Sequence, residues 1–154
     1  MSGHPASGGP HGGSAASRRR SPRDPERTSS RVSAGVVLGA LAADIVLVAA
    51  FAAIGRASHD SDVWFGLWQT AWPFLAGLGV GWLATLAWRA PLAPVRTGLG
   101  VWIATVAGGM LLRAASGQGT ALPFVVVASV TLLVALVGWR LIVTLIRRAR
   151  RRPV

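Results

Sequence analysis

Asp44 and Arg140 are ionisable side chains set deep inside long apolar stretches, so any chemistry this chain performs within those stretches starts from them. Asp44 falls near the middle of a run from Ser33 to Gly55. As a helix of about 23 residues, that run spans the roughly 30 Å hydrocarbon core of a bilayer. A carboxylate at that depth is costly and normally faces a partner or a cavity. Arg140 lies about one and a half turns inside another apolar run, which ends in Arg147, Arg148, Arg150, Arg151 and Arg152. At 1.5 Å per residue, Asp44 stands roughly 16 Å from the basic start of its helix, and Arg140 roughly 9 Å from the basic end of its own. Side chains lean toward their helix N-terminus, so these two lean toward each other across a gap of about 7 Å, within reach of an arginine. An Asp44–Arg140 ion pair is the expectation. The competing arrangement has Arg140 snorkelling to headgroups, with Asp44 protonated or bonded to a hydroxyl of Thr85, Thr105 or Thr131.

A second group of polar residues falls at the opposite surface: Arg56, His59, Asp60, Asp62 and Arg113. It reads as a charged, extracytoplasmic rim, with an anion-attracting mouth as the sharper alternative. The spacing of His59 and the two acids matches no metal-ligand pattern. The chain has no cysteine, His59 is the only histidine beyond the N-terminal 30 residues, and Asp44 has no second acid beside it. No catalytic constellation is visible, so the expectation is a protein that is not an enzyme and that takes no metal and no cofactor.

The elements that must position these residues follow from composition. The chain is 52% hydrophobic and 14% charged, with a mean hydropathy of +0.51. A soluble domain carries about 25% charged residues. The expected fold is all-α, a four-helix transmembrane bundle with a disordered basic N-terminal tail. Residues 1–31 form the tail, 32–147 the membrane domain, with spans near 33–55, 67–88, 97–114 and 122–146, and 148–154 a basic C-terminus. The tail, rich in Gly, Ser, Pro and Arg, has almost nothing to bury. Gly35/Gly39 and Gly77/Gly81 form Gly-xxx-Gly pairs, and with Gly109 and Gly138 they are the candidate positions for close helix packing. Asp44 lies off the Gly35/Gly39 stripe, on the face of Ala40, Leu41, Val48 and Phe51. Pro73 allows either a short helix beginning near Trp72 or a full helix kinked there.

Thirteen of the sixteen arginines fall before the first span, in the Arg89–Arg96 loop or after the last span. By the positive-inside rule both termini are cytoplasmic. Ala50-Phe51-Ala52 resembles a signal-peptidase site, but the long basic leader and Asp44 favour a retained span. The net charge of +11 sits at the ends of apolar runs and not on one folded face. It therefore indicates anionic lipid at the cytoplasmic face and not nucleic acid. Basic residues that are all Arg, with abundant Ala, Gly and Pro, indicate a GC-rich bacterial genome.

The chain from Asp44 to Arg140 resembles a family of small bacterial and archaeal membrane proteins, domain of unknown function 3054. The resemblance rests on Asp44, Phe51, Ile54-Gly55-Arg56, His59, Trp72-Pro73-Phe74, Gly77, Gly81-Trp82, Arg89 and Pro91. It continues through Gly98, Val101-Trp102, Gly109-Met110, Arg113, Phe124-Val125 and Gly138-Trp139-Arg140. It implies a four-span integral membrane protein and carries over no catalytic residue. The functional expectation is a structural or accessory component of the bacterial plasma membrane, acting as a homo-oligomer or with an unknown membrane partner. The alternative is a subunit of a proton- or ion-coupled transporter or channel that uses Asp44.

Overall fold

In a computed structural model, residues 32–56 and 63–151 are described. The expected tail (1–31), His59, Asp60, Asp62 and the last three residues lie outside them. The described residues form four α-helices and no strand: α1 (Ala34–Arg56), α2 (Val63–Ala84), α3 (Gly100–Ala115) and α4 (Leu122–Arg150). Three segments, Ala34–Gly55, Pro94–Ala115 and Leu122–Arg150, are long and apolar enough to cross a membrane. α2 has the length but not the mean hydropathy, because its glycines, tryptophans and Gln69 dilute the apolar residues.

The helices pack in a ring, α1 on α2, α2 on α3, α3 on α4, and α4 back on α1. Each contributes about one residue per turn to a common core, since positions four apart share a helix face. From α1 these are Ala40, Asp44 and Val48; from α2, Phe74, Leu78 and Trp82; from α3, Val101, Thr105 and Gly109; from α4, Ala128, Leu132, Leu136 and Arg140. The outward faces are equally apolar: Leu38, Ile54, Leu83, Leu111, Leu122 and Val134 are all more than 60% exposed. A ring of helices as greasy outside as inside is built for an apolar solvent.

α2 and α3 make the most extensive contact. A Cβ on Gly77 would lie 2.9 Å from the Thr105 carbonyl oxygen, and one on Gly81 would lie 3.1 Å from the Val101 backbone. A Cβ on Gly109 would run into the Phe74 ring. These three glycines let two backbones touch. Among the described residues Gly39 and Gly138 have no neighbour within 4 Å of where a Cβ would stand, and Gly35 has only Ser33, which precedes α1. Of the six glycines singled out for packing, those three approach no other helix closely among the described residues. The face of α1 that carries Asp44 is the one turned inward, and it rotates Gly35 and Gly39 to the outside.

α2 begins four residues before the expected Leu67 and runs unbroken through Pro73, so the short-helix option is not the one adopted. It stops at Ala84, and Leu86 then takes a left-handed conformation (φ 50°, ψ 49°). Trp88, expected inside the span, stands in a 3₁₀ turn, Ala87–Arg89. The chain then makes a π-helical turn, Pro94–Leu99, that leads straight into α3. α3 ends in a Schellman cap at Gly117 (φ +71°), with Gln118 N–H donating to Arg113 C=O and Gly117 N–H to Ala114 C=O.

Candidate functional site

Asp44 and Arg140 are both fully buried, and Arg140 grips the carboxylate with both terminal nitrogens. Arg140 Nη2 donates to Asp44 Oδ2 at 2.6 Å and Nη1 to Oδ1 at 2.8 Å. Two indoles complete the site. Trp82 Nε1 of α2 donates to Oδ2 at 2.8 Å, and Trp139 Nε1 of α4 to Oδ1 at 3.0 Å. A carboxylate offers about four lone-pair directions, and here all four receive an N–H. Every donor is a nitrogen, so both carboxyl oxygens serve as acceptors in all four bonds.

Arg140 is held as closely on its other side. Its Nε donates to the Pro91 carbonyl at 2.9 Å, and Nη1 also donates to Leu136 C=O at 2.7 Å. Its guanidinium carbon lies 4.7 Å from the Trp139 ring. The Pro91 carbonyl is free to serve because the α2–α3 connection is not helical there. Two prolines, Pro91 and Pro94, keep this stretch out of a continuous helix. The connection is braced locally by Thr97 Oγ1 donating to Ala90 C=O at 2.7 Å. Gly98 lies against the Arg140 stem, where a Cβ would come within 3.3 Å of Cδ. The site thus ties α1, α2, α4 and the α2–α3 connection through two side chains.

The three hydroxyls weighed as Asp44 partners do not reach it. Thr85 and Thr105 donate to Gly81 and Val101 C=O in their own helices, and Thr131 is on the exposed side. The partners that sequence reasoning missed are Trp82, Trp139 and the Pro91 carbonyl. A usable signal existed for the indoles: a tryptophan buried in an apolar span must place its N–H on an acceptor. Asp44 is the only carboxylate among the described residues.

The second group is only partly described. Arg56 ends α1. Arg113 lies in the last turn of α3, where its Nη1 donates to Gln118 Oε1 at 3.0 Å and its Nη2 to Gly119 C=O at 3.2 Å. Its guanidinium carbon stands 4.4 Å over the Phe124 ring, while Nε is buried with no hydrogen-bond partner among the described residues. Beneath it, Phe51, Phe74 and Phe124 from α1, α2 and α4 cluster with ring centroids 5.3 to 6.4 Å apart. Among the described residues no three His, Asp or Glu side chains come together in a way that could hold a metal ion.

Helices that are apolar on both faces, gathered around a hydrogen-bond-saturated ion pair, define a helical protein suited to the membrane. Residues 41–143 match the model of a family described as protein of unknown function (DUF3054), and the chain belongs to that family. No curated protein and no solved structure matches it.

Proposed function

We propose that this chain is a four-span integral protein of the bacterial plasma membrane, with both termini cytoplasmic, and that it serves as a structural or accessory membrane component. α2 is the fourth span in this reading. It carries no charged residue, and its lower hydropathy comes from its glycines, two of which seat it on α3, and from its tryptophans and Gln69. The arginine distribution supports the orientation.

The observation that carries the reading is the saturation of Asp44. A carboxylate that exchanges protons or binds a passing cation needs a vacant lone pair and a path to water. Asp44 has four N–H donors and no exposure. Its charge is cancelled in place by Arg140, as a fastening requires and a carrier does not.

Purified protein in sealed vesicles with an internal pH dye tests this. The expected result is no Asp44-dependent proton flux under an imposed pH or ion gradient, together with a large loss of thermal stability in Asp44→Asn. Flux that disappears in Asp44→Asn while stability is retained would replace this reading with the proton-coupled transporter. Reporter tags at both ends should be reached only from the cytoplasmic side.

A further inference from the structure

The α2–α3 connection and the end of α4 enclose an open groove of about 500 Å³. Its lining changes character along its length. Val95, Leu141 and Leu145 make an apolar wall, and Arg147, Arg148 and Arg151 close one end. The only hydroxyl in the lining, that of Thr144, is already committed to Leu141 C=O at 2.8 Å. On α4 this is a single stripe, because residues 141, 144, 145, 148 and 151 recur every three or four positions. Leu141 to Arg148 spans about 10 Å at 1.5 Å per residue.

Among the described residues the three arginines have no counter-anion. Asp44 is the only carboxylate among the described residues, and it is sealed inside. Their forked donors suit phosphate oxygens. A ligand that fills the groove must therefore be anionic at one end and aliphatic at the other. The far wall is held in place by the site already described, through Arg140 Nε on Pro91 C=O and Gly98 against the Arg140 stem.

We propose that this groove is a binding site for one anionic phospholipid. Its phosphate lies among Arg147, Arg148 and Arg151, and an acyl chain runs along Val95, Leu141 and Leu145. The proposal rests on the membrane reading above, and it goes further than general attraction of a basic end to an anionic leaflet, because it names one groove and an occupant held by both ends.

Native mass spectrometry of the full-length protein, titrated with phosphatidylglycerol, phosphatidylcholine or inorganic phosphate, tests it. One phosphatidylglycerol should be retained in preference to phosphatidylcholine, with inorganic phosphate failing to displace it. The variant R147Q/R148Q/R151Q should weaken that binding about tenfold or more. Removing three arginines from the N-terminal segment instead, in R18Q/R19Q/R20Q, should change it less than twofold. Val95→Trp, which keeps every charge but fills the apolar wall, should also weaken it, and unchanged melting temperatures would show that the variants are folded. Equal losses in the two triple variants would overturn the site in favour of diffuse charge, and displacement by inorganic phosphate would overturn it in favour of a free-anion site. Release of the wild-type protein from membranes by alkaline carbonate would instead overturn the membrane reading itself.

Discussion

Arg140 and Arg113 both reach inward from a helix, Arg140 late in α4 and Arg113 at the end of α3, but their surroundings differ. Arg140 is fully buried, locked to a carboxylate through two nitrogens, and held by two backbone carbonyls. Arg113 is half-buried, rests on the Phe124 ring and bonds an uncharged amide. The difference follows from what each end must bury. Where α1 places an acid in the core, the opposing charge has to be matched bond for bond, because an unpaired buried charge costs several kcal/mol. Where α1 places Phe51, aromatic packing does the work and the arginine only covers it.

Substitutions at the two ends should therefore differ in size. Asp44→Ala or Arg140→Ala leaves the partner buried and uncompensated, and each should cost about 3–5 kcal/mol, seen as a large fall in melting temperature in detergent. Trp82→Phe and Trp139→Phe each keep an aromatic ring but remove one donor from the carboxylate. A loss of about 1–3 kcal/mol apiece is expected. Gly77→Leu attacks neither end but forces α2 off α3, and about 1–3 kcal/mol is expected from overpacking, checked by the same melts. Arg113→Gln should be the mildest, at about 1 kcal/mol or less, because a part-exposed cation–π contact contributes little. A loss at Arg113 as large as that at Arg140 would erase the distinction between the ends.

How far the sequence foretold this arrangement depended on regularity. Asp44 and Arg140 lie on helices of constant rise, so their heights, and hence their mutual reach, follow from counting residues. Trp82, Trp139 and Pro91 were harder. The indoles come from two different helices whose rotation about their axes is set by packing, and the Pro91 carbonyl sits in a connection with no repeating geometry. The glycines show the same limit. Gly77, Gly81 and Gly35/Gly39 carry the same spacing, yet only the pair on α2 meets a neighbouring backbone. Spacing marks a smooth helix face, whereas the position of Asp44 determines which face of α1 turns inward. The mean hydropathy of α2 is lower for a related reason, since the glycines that seat it on α3, together with its tryptophans and Gln69, contribute little to an apolar average.

A double-mutant cycle on Asp44 and Arg140 in detergent, read by thermal or denaturant unfolding, addresses the central claim most directly. If the two charges form one interlocked unit, Asp44→Ala and Arg140→Ala together should cost less than the sum of the single losses, with a coupling of about 2–3 kcal/mol. Additivity to within about 0.5 kcal/mol would mean the two residues act independently, and would contradict the account.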